Sequence, residues 1–328
     1  MKQYPFRSTL ALFRRPCKAI IKYAHVDIYT LLDSIFAALL SIHQSTTFVL
    51  NHSSFITAAL SEDIGNGDHS TIAAIDPNAE GNAILKIKEA GIIAGIDLAQ
   101  AVFHHLQADA QILLHKKDGE AMHVGETAFE VKAKIHTILQ AERLVLNAMQ
   151  RMSGIATLTH EYVQLLQGYK TKILDTRKTT PLFRAYEKEA VRIGGGENHR
   201  MGLYDMVMLK DNHIDFCGGI SKAIHKTNDY LRQQKLDLKI EVETRSFADV
   251  QEVLSVGNVH RIMLDNFTPS AAAEAVKMIA GRFETEASGG INKETIVAYA
   301  QAGVDFISVG AIIHHAVSLD LSLKAQFH

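Results

Sequence analysis

The second half of the sequence predicts an α/β fold in which a parallel sheet forms a (β/α) barrel. Short apolar runs alternate with stretches of helical periodicity, and each run ends in polar or glycine residues. At least five successive strand ends carry candidate site groups. A doubly wound open sheet would show the same alternation, but it concentrates its site groups near one switch point. Because candidate site groups follow every run, we predict a barrel with its site at the carboxyl ends of the strands.

The apolar runs give the order of the predicted elements. Strands are predicted at 173–174, 206–209, 238–242, 261–264, 283–287 and 304–309, and helices at 247–254, 270–279 and 293–302. The first part of the chain predicts a small α+β unit, with strands at 82–88, 91–94, 110–115 and 128–134 and a helix at 97–106. The turn formers of 61–68 predict a loop. A long helix is predicted from His136 to Gln167, ending at Gly168.

Length and charge limit the function classes. The 328 residues, 47% of them hydrophobic, suffice for a large core and suggest two domains or one large one. A formal net charge of -2 argues against a general nucleic-acid binder, so any anion binding is local. Two cysteines cannot form a disulfide framework or a four-ligand zinc site, which indicates a reducing compartment and predicts a cytoplasmic protein.

Residues 1–50 differ in composition from the rest of the chain. Basic residues precede the apolar patch 35–40, an order that resembles a signal peptide. Asp27 and Asp33 interrupt that order, the patch is too short to span a bilayer, and no small-residue cleavage site follows. We therefore expect an appended helix, or a start site placed too far upstream, and no membrane segment.

A basic stretch between Lys172 and Ile214 is the first candidate binding site. Its cationic or titratable side chains are Arg177, Lys178, Arg184, His199, Arg200 and Lys210. Arg and Lys bind carboxylates and phosphates through charge-assisted, often bidentate hydrogen bonds. The stretch therefore predicts a receptor for several negative charges on one small molecule.

Two further sets of residues lie on or follow the later strands. The acids, which would bind Mg²⁺ or ribose hydroxyls, are Glu241, Glu243, Asp265 and Glu286. The glycines, whose amides can approach a phosphate closely, are Gly289, Gly290 and Gly310. Taken singly, these sets are explained as well by surface ion pairs, helix caps and turns. Their recurrence at the same end of consecutive strands favours a site.

The predicted long helix carries a polar stripe. Arg143, Asn147 and Arg151 follow one another at spacings of four and share one face of the helix. Spacing alone favours a solvated face over a functional one.

Other enzyme classes lack their signatures. There is no GxGxxG fingerprint and no GxxxxGK[ST] loop, since the three glycines at 194–196 are followed by Glu-Asn-His-Arg. No Cys/His spacing suits zinc, and Ser153-Gly154 has no nucleophile-elbow context. A Rossmann dehydrogenase and a serine hydrolase are therefore disfavoured.

Several short motifs follow one another along the chain. The chief ones are Asp-Thr-Arg-Lys-Thr-Thr-Pro at 175–181, Gly-Gly-Gly-Glu-Asn-His-Arg at 194–200 and Lys-Asp-Asn-His at 210–213. Others are Glu-Val-Glu at 241–243, Leu-Asp-Asn at 264–266 and Glu-Ala-Ser-Gly-Gly-Ile at 286–291. Together they resemble the signature of the quinolinate phosphoribosyltransferase family, also called carboxylating nicotinate-nucleotide pyrophosphorylases. The resemblance covers about residue 55 to the C-terminus. One departure is Pro-Leu-Phe-Arg at 181–184, where the family pattern has Pro-Gly-Leu-Arg.

The resemblance implies a type II phosphoribosyltransferase. Its fold would be an N-terminal α/β sandwich at 51–145, completed by about 311–328, and a partly open α/β barrel at 146–310. Its activity would be that of a decarboxylating pentosyltransferase that joins quinolinate to phosphoribosyl pyrophosphate (PRPP), with Mg²⁺. The products would be nicotinate mononucleotide, pyrophosphate and CO₂, in de novo NAD synthesis. The family arginine that matches Arg143 reaches into the partner subunit's site, which implies a homodimer and replaces the solvated-face interpretation.

The resemblance also implies a role for each site residue. The quinolinate carboxylates would be held by Arg177, His199, Arg200 and Lys210, with Arg143 from the partner subunit. Lys178 would face the junction of the two substrates as a catalytic residue, while Glu243 and Asp265 would serve the ribose and Mg²⁺. The phosphate side would be lined by Ser288, Gly289, Gly290, Gly310 and His314.

Two other functions stay open on the sequence. One is a paralogue of the same fold that acts on another substrate, of the kind associated with molybdenum transport. The complete basic set argues against it. The other is a non-catalytic barrel that binds a phosphate ligand, and the retention of Glu243 and Asp265 argues against that.

Overall fold

The computed structural model describes residues 52–326, and its elements alternate as the hydrophobic pattern predicts. The first elements are α1 (His52–Ile64), α2 (His69–Ala74), β1 (Glu80–Ile87), β2 (Gly91–Ile92), α3 (Ile96–Leu106), β3 (Gln111–Leu114), β4 (Ala121–Met122), β5 (Thr127–Lys134) and α4 (Ile135–Leu165). The next are β6 (Lys172–Leu174), α5 (Arg184–Ile193), β7 (Val207–Leu209), α6 (Asp211–Cys217), α7 (Ile220–Gln234), β8 (Ile240–Thr244) and α8 (Phe247–Val256). The last are β9 (Arg261–Asp265), α9 (Pro269–Ile279), β10 (Glu284–Ser288), α10 (Ile296–Gln301), β11 (Phe306–Ser308), α11 (Ala311–His314) and β12 (Leu321–Gln326). The extension expected at 1–50 lies outside the described residues.

The early strands form an antiparallel sheet with one buried face. Its strand order is β12-β1-β5-β3. Ala83, Leu85 and Ile87 are buried in β1, as the period-two alternation of a half-buried strand requires. The C-terminal β12 pairs antiparallel with β1, so the end of the chain returns to the sheet that its first strand begins.

The prediction of a loop at 61–68 is wrong for its first half, residues 61–64. The helix α1 continues to Ile64 because Ile56 and Leu60, four residues apart, are both buried and form one apolar stripe. The turn itself begins at Gly65. Asp68 then caps α2, because its carboxylate accepts a hydrogen bond from Thr71 N at 3.1 Å.

The long helix α4 is shared by the two sheets. It contacts β1, β5 and β12 of the antiparallel sheet and β6 of the parallel sheet. The predicted domain boundary at residue 145 falls inside this continuous helix, so no linker separates the two parts at that point. Neither this 31-residue helix nor any other within 52–326 is long and apolar enough to cross a bilayer.

The later strands form one parallel sheet in the order β6-β11-β10-β9-β8-β7. Its edge strands β6 and β7 do not pair with each other within the described range, so the barrel is partly open. Glu197 makes a single parallel bridge to Leu174 beside the gap. All the carboxyl ends lie at one end of the barrel, where the polar residues that follow the strands meet.

Candidate active site

The carboxyl ends of the parallel strands surround a cavity of about 930 Å³. Every residue assigned to the site, apart from Arg143, lines it: Arg177, Lys178, His199, Arg200, Lys210, Glu243, Asp265, Ser288, Gly289, Gly290, Gly310 and His314. The basic groups follow the edge strands β6 and β7 or lie in the segment between them. The acids lie on β8 and β9, and the glycines follow β10 and β11. The cations therefore flank the gap in the barrel, and the acids and glycines come from the strands between its edges.

The cations beside the gap carry uncompensated positive charge. Within residues 52–326, neither Arg177, Lys178 nor Arg200 forms a salt bridge, whereas Lys210 Nζ lies 3.1 Å from Glu243 Oε2. Burial, and then the charge of Arg177, lowers the pKa of Arg200. Arg200 Nη1 donates a hydrogen bond to the carbonyl oxygen of Met206 at 3.3 Å, which holds the side chain at the cavity. The cluster is suited to receive an anion.

His199 lies at the wall of the cavity with only 8% of its surface exposed. Its Nε2 donates to Glu241 Oε2 at 2.9 Å and lies 3.4 Å from Glu286 Oε2. Burial opposes the charged ring, but the two carboxylates outweigh it and raise the pKa of His199 to about 9. The N–H of Arg200 acts the other way, because it donates to Nδ1 at 2.7 Å and occupies the place of a second proton. Protein groups therefore engage both ring nitrogens.

The acidic pair lies on neighbouring strands. Glu243 Oε1 accepts a hydrogen bond from Asp211 N at 3.3 Å, and Asp265 Oδ2 accepts one from Asn266 Nδ2 at 2.7 Å. Burial, and then the negative charge of Glu243, raises the pKa of Asp265. Two carboxylates on neighbouring strands suit a cation, and their oxygens are of the ligand type that Mg²⁺ binds.

Close approach explains two of the glycines. A Cβ on Gly289, whose φ is +100°, would collide with Oδ1 of Asn266. A Cβ on Gly310 would lie 3.1 Å from Lys178 Cδ and 3.2 Å from His314 Nε2. The absence of a side chain at Gly310 therefore lets Lys178 and His314 come together at the end of β11. A cation and an imidazole beside exposed backbone amides are a suitable setting for a phosphate.

Two family models match the chain. Residues 68–153 match the N-terminal domain of quinolinate phosphoribosyl transferase, and residues 155–324 match its C-terminal domain. The chain belongs to the quinolinate phosphoribosyltransferase family.

Individual members of the quinolinate phosphoribosyltransferase family agree with this assignment. The chain is 47% identical over 284 residues to decarboxylating quinolinate phosphoribosyltransferase 1b of Nicotiana tabacum, which covers 82% of this chain and 81% of that protein. It is 42% identical over 262 residues to a probable carboxylating nicotinate-nucleotide pyrophosphorylase of Bacillus subtilis, covering 80% and 89%. A crystal structure of NadC from Streptococcus pyogenes matches with a TM-score of 0.79 and 39% identity, covering 84% of this chain and 96% of that one. The predicted fold class is confirmed.

Arg143, which the family resemblance assigned to the partner's site, lies outside the cavity of its own chain. It is exposed and lines a second cavity of about 580 Å³ together with Phe55, Asn147 and Leu182. Arg151, on the same helix, is partly buried and binds within the protein. It donates to Glu187 and to the carbonyl oxygens of Ile313 and Ala316. On the polar stripe of α4, Arg151 therefore binds other parts of the chain, whereas Arg143 is exposed.

Some charged residues considered for ligand binding instead bind other parts of the protein. Glu241 and Glu286 are fully buried, and only Glu286 borders the cavity, so the binding of Mg²⁺ or ribose by these two acids stays a prediction. Their oxygens and a His199 nitrogen lie within 4.8 Å of one another, but Arg261 Nη1 already pairs with Glu286 at 2.8 Å, so this cluster is an ion-pair network. Arg184 is absent from the cavity lining, because it donates to Thr179 Oγ1 at 2.9 Å and to the carbonyl oxygen of Met201 at 3.1 Å.

Several residues that line the cavity were not predicted as site residues from the sequence, among them Asp175, Asn266, Ser308 and His315. Asp175 and Asn266 directly follow β6 and β9, and Ser308 is the last residue of β11. Applying the strand-end rule to every polar residue would have found these three. His315 follows a short helix and carries no such signal.

Proposed function

We propose that this chain joins quinolinate to PRPP and releases nicotinate mononucleotide, pyrophosphate and CO₂, a step of de novo NAD biosynthesis. The observation that supports the proposal most strongly is that one cavity has two chemically different halves. Unpaired cations lie beside the barrel gap, and glycine-rich segments follow β10 and β11 on the other side. Quinolinate brings two carboxylates, and PRPP brings a phosphate and a pyrophosphate. Each half of the cavity therefore has a ligand of matching charge.

Arg177, Arg200 and Lys210 would hold the quinolinate carboxylates. Arginine suits this role because its planar guanidinium matches a carboxylate with two hydrogen bonds and stays charged in a desolvated pocket. Arg177 and Arg200 are close enough for the charge of one to lower the pKa of the other, so a bound dianion would relieve their repulsion. Lys210 also contacts Glu243, which links the carboxylate side to the acids.

The reaction would begin when the pyridine nitrogen attacks C1 of PRPP as the bond to pyrophosphate breaks. Positive charge develops on the ribose in that transition state, and the carboxylates of Glu243 and Asp265 would favour it. The ring nitrogen then carries ribose as a pyridinium. When the adjacent carboxylate leaves as CO₂, its bonding electrons remain on the ring carbon beside the pyridinium, and that carbon takes up a proton. The protein would contribute mainly by positioning and charge.

Glu243 and Asp265 would also hold a Mg²⁺ ion. Both line the cavity, and carboxylate oxygens are of the ligand type that Mg²⁺ binds. When bound, Mg²⁺ would neutralise the pyrophosphate leaving group.

The assay that tests the proposal uses the purified chain with PRPP, Mg²⁺ and quinolinate, and follows nicotinate mononucleotide together with CO₂. We expect the two products in equal amounts. Nicotinic acid, which lacks one carboxylate, is the control substrate and should give little product. Product from nicotinic acid alone, or none from quinolinate, would overturn the assignment.

A homodimer with shared active sites forms part of the proposal. Arg143 is exposed, carries no salt bridge in the described part of the chain, and lies outside its own site, so a partner's cavity is its proposed position. Mixing inactive Arg143→Ala chains with inactive Lys178→Ala chains should restore some activity, because each mixed dimer contains one complete site. No recovery in verified mixed dimers would contradict shared sites.

A cytoplasmic location is also a proposal, drawn from the cysteine content of the chain. Two plant relatives are named as mitochondrial and chloroplastic proteins. Cell fractionation with an antibody against the chain distinguishes these locations.

A further inference from the structure

A buried cluster of charged residues lies beneath His199. Glu241, Arg261 and Glu286 come from the adjacent strands β8, β9 and β10. Both glutamates are fully buried, and the Arg261 side chain is 11% exposed. Barrel interiors are usually filled by branched apolar side chains, so this charged layer needs a reason of its own. The proposed chemistry gives these residues no direct contact with substrate.

The two glutamates are linked to His199 in different ways. Glu286 Oε2 is shared, since it lies 2.8 Å from Arg261 Nη1 and 3.4 Å from His199 Nε2. Glu241 Oε2 accepts a hydrogen bond from His199 Nε2 at 2.9 Å, its one hydrogen bond within the described residues, and the positive charge of Arg261 acts on it without such a bond. The second oxygens of both glutamates have no hydrogen-bond partner within 52–326. Burying a carboxylate with so little compensation weakens a fold, so Glu241 is better explained by its effect on His199.

The hydrogen bonds that orient His199 also affect Arg200. Because Nε2 faces the glutamates, Nδ1 faces the backbone N–H of Arg200, which donates to it at 2.7 Å. A rotation of the ring would break both contacts together. The orientation of the ring therefore fixes the backbone of the residue whose guanidinium reaches the cavity.

We propose that Glu241 and Glu286 are positioning residues that hold His199, and through it Arg200, in the orientation that receives a carboxylate of the substrate. The proposal rests on the proposed function, since that function supplies quinolinate as the substrate. It assigns the two glutamates to the carboxylate half of the site and not to the phosphate half.

The test is Glu241→Gln, which keeps the side-chain volume and removes the charge. We expect kcat/KM for quinolinate to fall at least tenfold while KM for PRPP stays within twofold. A merely structural role would affect both substrates. The matched control is Glu284→Gln, because Glu284 pairs with the same Arg261 at 3.0 Å but does not contact His199, and it should stay within twofold of wild type for both substrates. Should Glu241→Gln fail to fold, Glu286→Gln carries the same expectations.

Coupling to His199 decides whether the glutamates act through that ring. In a His199→Gln background, adding Glu241→Gln should change kcat/KM for quinolinate less than twofold. An undiminished effect there, an equal rise in KM for PRPP, or wild-type kinetics for Glu241→Gln would each overturn the proposal. Quinolinate affinity is measured in parallel by calorimetry. If the wild-type chain binds quinolinate without turning it over, the proposed reaction is refuted, and the affinities of the same variants for quinolinate still test the coupling. A wild-type chain that neither binds nor converts quinolinate refutes both.

Discussion

Lys188 Nζ donates a hydrogen bond to the carbonyl oxygen of His199 at 2.9 Å, and Lys188 is fully buried. It also pairs with Asp175, which accepts a hydrogen bond from His199 N at 2.9 Å. Burial raises the pKa of Asp175 to about 6 in spite of Lys188, and burial lowers the pKa of Lys188. The turn that carries His199 and Arg200 is thus anchored on a desolvated ion pair.

Replacement of Lys188 by Met should destabilise the protein strongly. It would leave Asp175 buried without its partner, which typically costs about 3–5 kcal/mol. The double variant Lys188→Met/Asp175→Asn should recover part of the loss, because no charge then remains. Urea denaturation measures both free energies of unfolding. A single variant as stable as wild type would show that the pair does not anchor the turn.

Replacement of Arg177 or Lys210 by Ala should abolish turnover of quinolinate without unfolding the protein. Both side chains are exposed at the cavity, so little packing is lost. Charge-assisted contacts to a desolvated carboxylate are worth about 1.5–3 kcal/mol each, so the loss of two such contacts should lower kcat/KM for quinolinate by a factor of about 100 or more. The control is Arg192→Ala, which removes a cation paired with Glu189 on α5. Near wild-type kcat/KM in either test variant would refute the carboxylate pocket.

Replacement of Leu182 by Gly should leave stability unchanged or raise it. Leu182 has a φ of +63° and is 95% exposed, so it strains the backbone and buries almost nothing. The left-handed conformation costs a non-glycine residue roughly 1–2 kcal/mol, and the greater freedom of glycine in the unfolded chain offsets about half of that. The control Leu203→Gly, at an exposed residue without positive φ, should destabilise. A loss of stability in Leu182→Gly that grows on dilution would instead place this leucine in a subunit contact.

Replacement of Asp118 by Asn should stabilise the protein in a pH-dependent way. Burial raises the pKa of Asp118 to about 6, although its Oδ1 accepts a hydrogen bond from Ile96 N at the start of α3. The folded state therefore binds this proton more tightly than the unfolded state does. As pH rises from about 4 through 6, the carboxyl group ionises and the free energy of unfolding of the wild-type protein falls. The gain from Asn should be on the order of 2 kcal/mol at pH 8 and absent near pH 4. Exposed Asp109→Asn is the control, and a pH-independent difference at Asp118 would contradict this prediction.

The site residues at the strand ends were predictable from the sequence, because the carboxyl ends of parallel strands lie together at one end of the barrel. Lys210 and Asp265 follow or end short apolar runs, and the structure brings both into the cavity. The loop at 61–68 was predicted too long, since its turn formers do not reveal that Leu60 is buried against the rest of the fold.

The buried charges could not be predicted in the same way. Lys188 lies in a helix of ordinary charged composition, and nothing in its neighbours shows that Asp175, before that helix, folds beneath it. Glu241 sits two residues before Glu243 in one strand, and spacing alone could not show that the two acids have different environments. Residues two apart point to the same side of a strand, so the two acids differ in depth: Glu243 lines the cavity, whereas Glu241 lies outside its lining and is fully buried. Only the packing around the sheet shows that difference.

The most direct test of the account is a crystal structure of the chain soaked with quinolinate. We predict the ligand's carboxylate oxygens within about 3 Å of the nitrogen atoms of Arg177, Arg200 and Lys210, with the ring nitrogen towards Glu243 and Asp265. Quinolinate bound at the glycine-rich ends of β10 and β11, or with its ring nitrogen turned away from the acids, would contradict it.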